Sequence, residues 1–139
     1  MRFTFLIVVL VSFNALLHSQ EMLYYAEDTF GGSNIYRVNM DGTGKEVVGN
    51  TMLPCTAIVA DYNRGKLFFS QQDFLTRCNL DGSDPQRVAF NFTHLIYDIK
   101  MDFSRNKLYV LTIKQGSSGS LKAVFQIEYR NHPGHKSTI

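Results

Sequence analysis

The chain contains no tryptophan, three prolines and two cysteines, and its charge is nearly balanced, 14 basic against 12 acidic side chains for a formal net charge of +2. That balance excludes a nucleic-acid binder working mainly through charge, because no face can gather many surplus cations. Three prolines and ten glycines exclude collagen-like or proline-rich matter. An apolar fraction of 45% excludes a disordered tail. The length of 139 residues fits one domain. Beyond the first segment no run is long and apolar enough for a membrane-spanning helix, and the C-terminal residues carry no lipidation or retention signal.

The chain opens with a short positive flank, Met1-Arg2, and continues with a run from Phe3 to Leu17 broken only by Thr4, Ser12 and Asn14. The run is shorter than the roughly 20 apolar residues a spanning helix needs. Its layout is that of a secretory signal's hydrophobic region, ahead of a signal anchor or a buried helix. Residues 1–19 are therefore expected to be a signal peptide cut after Ser19, give or take a few residues because Leu17 is large for its place. The product is expected to be secreted and extracellular.

A repeat runs through the rest of the chain. Met40-Asp41-Gly42 recurs as Leu80-Asp81-Gly82, 40 residues on. Asp61-Tyr62-Asn63-Arg64-Gly65-Lys66-Leu67 recurs as Asp102-Phe103-Ser104-Arg105-Asn106-Lys107-Leu108, 41 residues on. An aromatic step follows a leucine each time: Leu23-Tyr24-Tyr25, Leu67-Phe68-Phe69, and a weaker Leu108-Tyr109-Val110. A period near 40 suits either helical pairs or four-stranded propeller blades.

Alternation decides for strands. Leu95, Tyr97, Ile99 and Met101 are expected on one face, with Ile96, Asp98, Lys100 and Asp102 on the other. Leu121, Ala123, Phe125, Ile127 and Tyr129 alternate likewise with polar neighbours. Cys55 to Ala60 is almost continuously apolar, as in a strand covered on both faces. Asp-Gly pairs at 41–42 and 81–82 suit tight reversals, because glycine accepts positive φ and the carboxylate can hold nearby backbone. The complete period holds an inner strand over 56–61, a second over 66–70, a third over 74–80 and an outer one over 86–89. The first period starts at its second strand (22–27, 34–40, 45–48), and the last (95–102, 107–112, 121–128) ends before an outer strand. The expected fold is all-β, a partial propeller of about three four-stranded antiparallel blades over residues 20–130, with a flexible tail at 131–139.

Leu23-Tyr24-Tyr25-Ala26-Glu27-Asp28 with Ile35-Tyr36-Arg37-Val38-Asn39-Met40-Asp41-Gly42 after it resembles the class B, or YWTD, repeat of the low-density-lipoprotein receptor family. The second period is similar, with Asp61, Leu67-Phe68-Phe69-Ser70 and Leu75-Thr76-Arg77-Cys78-Asn79-Leu80-Asp81-Gly82. The likeness covers about residues 22 to 112. It implies that Tyr24, Tyr25, Asp41, Gly42, Asp61, Phe68, Phe69, Asp81, Gly82 and Asp102 are structural motif positions. It also implies a non-catalytic propeller that binds extracellular ligands or neighbouring modules. Tyr25, Phe69 and Val110 stand where the family has tryptophan. Its blade-fastening aspartate is replaced by Glu27, Gln71 and Thr112.

In that family six repeats close a ring, whereas this chain has about three. A blade buries its faces only against neighbours, so three arrangements remain open. Two chains could join as a homodimer completing six blades, the chain could dock on another extracellular protein, or it could be a truncated product of a longer gene. The end strands, Met22 to Tyr25 and Ala123 to Tyr129, are apolar-rich, and edges of that kind invite pairing with another chain.

Cys55 and Cys78 could form a bridge closing a loop worth about 3 kcal/mol. The expected strands, one apart, set them about 9–10 Å from each other, beyond the roughly 7 Å a disulfide allows. An intrachain bridge, buried free thiols and an intermolecular link stay open. Asn91-Phe92-Thr93 is the sole N-glycosylation sequon and is expected in a loop. The Asp41-Gly-Thr-Gly and Asp81-Gly-Ser-Asp84 runs supply too few spaced oxygen ligands for calcium. His132 and His135 lie in the tail without acidic or thiol partners, and His94 has no nucleophile set. The Gly116–Ser120 run reads as a loop. No metal, cofactor or catalytic residue is expected. Asp61 and Asp102 could face a channel, as in metal-dependent propeller hydrolases, but are expected to cap turns. The expected function is a secreted, non-catalytic protein-binding module, ahead of a structural component of an extracellular matrix or secretion.

Overall fold

The computed structural model describes residues 22–89, 94–113 and 122–128. The expected signal peptide, the sequon at Asn91, residues 116–120 and the expected tail with His132 and His135 lie outside them. Ten strands are present among the described residues: β1 (Met22–Thr29), β2 (Gly32–Asn39), β3 (Glu46–Thr51), β4 (Ile58–Asp61), β5 (Lys66–Gln71), β6 (Phe74–Asn79), β7 (Gln86–Ala89), β8 (Leu95–Asp102), β9 (Lys107–Ile113) and β10 (Lys122–Glu128). They form three antiparallel meanders in chain order, β1-β2-β3, β4-β5-β6-β7 and β8-β9-β10. We call these blades I, II and III. All described regular structure is β, and the fold is a partial β-propeller.

The repeat is reproduced at the level of single hydrogen bonds. In blade I the Gly42 amide donates to Asn39 O (2.8 Å), while Asp41 Oδ1 accepts from Thr43 N (2.9 Å) and Thr43 Oγ1 (2.7 Å). In blade II the Gly82 amide donates to Asn79 O (2.9 Å), and Asp81 Oδ1 accepts from Ser83 N (2.9 Å) and Ser83 Oγ (2.6 Å). Gly42 and Gly82 sit at φ 84° and 86°, the left-handed region where glycine has no Cβ penalty. These bonds hold the Asp41 and Asp81 carboxyls below the usual range, the hydroxyls of Thr43 and Ser83 acting most strongly. In both blades the strand before this turn also shifts register against its outer neighbour at the same place, Ile35/Tyr36 and Leu75/Thr76.

Alternation along β5 places Leu67 and Phe69 toward blade I and Phe68 toward blade III. The first seam buries Tyr24, Ile35, Leu67, Phe69 and Cys78. The second buries Ala57, Phe68, Leu75, Ile96, Ile99, Leu108 and Val110. Blade II is therefore apolar on both sides, as the sequence 55–60 anticipates, although β4 itself starts at Ile58 and Cys55 lies in the connection before it. Burying one such side chain contributes about 1.5–3 kcal/mol, against about 0.5–1.5 for a hydrogen bond, so apolar burial decides the cohesion of the seams.

One face assignment is corrected. Ile96 and Ile99 are both buried in the second seam and Tyr97 is exposed. A register shift between Ile96 and Asp98 breaks the alternation, so Tyr97 does not join Ile99 as strict two-residue spacing predicts.

Candidate interaction surface at the two ends of the blade row

Each seam joins the front of one blade to the back of the next, and polar ties fix the fit. Across the first seam Tyr24 Oη donates to Leu80 O at 2.9 Å and Tyr62 Oη donates to Met22 O. Burial, the largest influence, raises the Tyr24 phenol above its ordinary pKa. The blade II turn seats so closely that a Cβ on Gly82 would collide with Val48 O in blade I. Farther up, Ser33 Oγ donates to Asp28 (2.7 Å) and accepts from Cys55 N (2.9 Å), tying the connection to blade I. Across the second seam Ile96 N donates to Gln72 O (2.7 Å), Thr56 Oγ1 to Ile96 O, and the Arg64 guanidinium to Asn106 Oδ1. Ser70, fully buried at a motif position, accepts from the amides of Thr56 and Ala57, each at 3.0 Å.

The end of the row lacks such a partner among the described residues. Leu67 and Leu108, equivalent in the repeat, are 0% and 1% exposed, whereas their counterpart Leu23 is 52% exposed. Leu80 packs into the first seam, whereas its counterpart Met40 is 71% exposed. Gly82 is crowded by Val48, whereas a Cβ on Gly42 would meet nothing within 4 Å. The back of blade I has the residue pattern of a seam half, with Val38, the counterpart of Cys78, buried at 7% but Leu23 and Met40 left exposed.

Polar chemistry partly clothes that face. Tyr25 and Tyr36, directly paired across β1 and β2, stack at 5.4 Å between centroids. The Lys45 ammonium lies 4.0 Å from the Tyr36 centroid and 5.3 Å from that of Tyr25, and 2.8 Å from Glu27 Oε1. The hydrogen bond to Glu27, then that to Tyr25, holds Lys45 above the ordinary lysine range. Asn34 donates to Tyr36 Oη (3.3 Å) and accepts from Asn50 (2.6 Å). This end is apolar at Leu23 and Met40, and Glu27 and Lys45 complete it with charge. At the other end, strand alternation turns Tyr109, Leu111 and Ile113 away from blade II, because Leu108 and Val110 point into the second seam. Asp98 and Lys100, paired at 3.2 Å, stand opposite Leu111 and Tyr109 in the register.

The remaining sequence candidates have definite places. Asp61 is fully buried, accepts from Arg64 N (3.2 Å) and pairs with the Arg64 guanidinium at 2.9 Å. Asp102 accepts from Ser104 N (3.0 Å), Ser104 Oγ (2.6 Å) and Arg105 N (3.1 Å), and the Ser104 hydroxyl leads in holding its carboxyl low. Both carboxylates close turns whose left-handed residues are Gly65 and Asn106. Cys55 and Cys78 are separate thiols in the first seam, and burial pushes Cys78 up to about 11. Glu27 bonds to Lys45 and Gln71 to Thr76 (2.9 Å), each within its own blade, while Thr112 is fully buried. Among the described residues no three His, Cys, Asp or Glu side chains are grouped to hold a metal.

The Tyr25–Tyr36–Lys45–Glu27 cluster escapes a reading of the sequence by motif. Its signal is the register of the first hairpin, which sets Tyr25 opposite Tyr36.

No family model matches the sequence, and no curated protein matches it significantly. Among solved structures, a chain in the crystal structure of a nidogen/laminin complex is similar, with a TM-score of 0.61 and 21% identity. The match covers 68% of this chain and 37% of that one, so this chain spans little more than a third of its neighbour's length. The likeness is one of fold, and it agrees with the three meanders in making this chain part of a β-propeller.

Proposed function

We propose that the chain is a secreted, non-catalytic module that binds extracellular protein. The observation that carries the reading is the exposed Leu23, on a face whose counterparts Leu67 and Leu108 are buried in seams. An apolar position of this kind, rimmed by Tyr25, Tyr36 and Lys45, has the composition of a protein contact. The structural neighbour comes from a complex of two proteins, nidogen and laminin, which favours protein as the class of ligand. The involvement of Asp61 and Asp102 in turn bonds supports a role without catalysis.

The test is expression in secretory cells, then capture from the medium with wild-type chain and with Leu23→Asp as bait. The reading expects the chain in the medium, without residues 1–19 and glycosylated at Asn91. It also expects a stoichiometric protein complex that Leu23→Asp loses. Retention in the cell, or capture indifferent to Leu23, contradicts it.

A further inference from the structure

We propose that the back of blade I is closed by the front of blade III of a second copy of this chain, head to tail, in a closed pair with two identical seams. The inference rests on the reading of the end faces as protein-binding surfaces, and it names the occupant.

Three observations choose it. First, the chain carries both halves of a seam. The back of blade I repeats positions that blades II and III bury, and the front of blade III presents Tyr109 at the position that Tyr24 and Phe68 fill at the two internal seams. Second, the polar tie at the first seam has its two halves at opposite ends of the row. Tyr24 Oη donates to Leu80 O, in the turn seated on blade I. Tyr109 carries the same hydroxyl. The blade I turn holds Met40, the counterpart of Leu80, in the same hydrogen-bonded geometry with open space at Gly42. Blade II stands between these two groups within one chain, so Tyr109 can reach Met40 O only in another copy. Third, charge does not oppose the contact. The back of blade I carries the Lys45–Glu27 pair and the front of blade III the Lys100–Asp98 pair, each locally neutral. A head-to-tail contact closes only if the rotation between copies returns to the start, and a pair with two identical seams requires the two copies to be related by a half-turn.

The test is sedimentation equilibrium of the purified full chain over a wide concentration range, together with thiol cross-linking. Wild type is expected to reach twice the monomer mass and go no higher. Leu23→Asp is expected to weaken pairing roughly tenfold or more, and Tyr109→Phe by roughly 2- to 10-fold through the lost hydroxyl. Circular dichroism of Leu23→Asp against wild type separates lost pairing from lost folding, and cross-linking gives a second measurement. A mixture of Met40→Cys and Tyr109→Cys chains should yield a covalent dimer under a short thiol cross-linker, and neither variant should do so alone. A monomer at every concentration, a mixture that cross-links no better than its components, or assemblies growing beyond two copies would overturn the proposal. A strict monomer that still captures another extracellular protein through Leu23 would remove this inference and leave the proposed function standing.

Discussion

Leu23 and Leu67 occupy the same position of the same repeat, and one is half exposed while the other touches no solvent. The difference lies outside the two strands, in whether another blade stands behind them. Blade II has a neighbour on each side, and its Leu67, Phe68, Phe69 and Cys78 disappear into the two seams. Blade I has a neighbour on one side only among the described residues, and its other side is dressed by Tyr25, Tyr36, Lys45 and Glu27. Cohesion in this fold is a property of the interface between blades, so one residue type can be structural in the middle of the row and exposed at its end.

The sharpest way to break that comparison is to truncate the two leucines. Leu67→Ala is expected to cost about 2–5 kcal/mol. Leu23→Ala is expected to cost no more than about 0.5 kcal/mol in dilute, monomeric protein. Urea unfolding of both variants measures the contrast, and equal losses would abolish it. The two turn glycines come next. Gly42→Ala should cost about 1–2 kcal/mol from left-handed backbone strain alone. Gly82→Ala should cost more than that, because its Cβ would also collide with Val48 O; equal costs would mean that the blade II turn does not seat on blade I.

A smaller effect isolates the tie across the first seam. Tyr24→Phe removes the hydroxyl bonded to Leu80 O and should lower stability by about 1 kcal/mol, whereas Tyr109→Phe should be neutral in the monomer. The smallest effect concerns Cys78. Its folded pKa is raised to about 11 from an ordinary 9.0, so the unfolded chain releases the thiol proton first as the pH rises. The stabilisation is complete below about pH 9 and is lost as the pH climbs to about 11. Urea midpoints should fall across that window for wild type and fall less for Cys78→Val.

Much of the fold is legible from residue order because two-residue alternation and the Asp-Gly turns are local signals. The strands over 66–71, 95–102 and 107–113 lie within a residue of their expected limits. Tyr97 departs from its expected face because a bulge is decided by pairing with β9, which β8 alone does not reveal. The end-face cluster is hidden for a related reason. Lys45 reaches Tyr25, Tyr36 and Glu27 only after two hairpins have folded, so no short window of sequence brings the four groups together. Cys55 and Cys78 both belong to the core around blade II, but their shared seam depends on which face each strand turns to blade I.

The most direct measurement is methionine oxidation by dilute peroxide, read by mass spectrometry as a function of protein concentration. Met40 and Met52 are both exposed, and Met101 packs against the second seam. In dilute protein the account predicts that Met40 oxidises alongside Met52 while Met101 lags, and that rising concentration slows Met40 alone. A Met40 that is already protected in dilute protein, or that keeps pace with Met52 at every concentration, would contradict it.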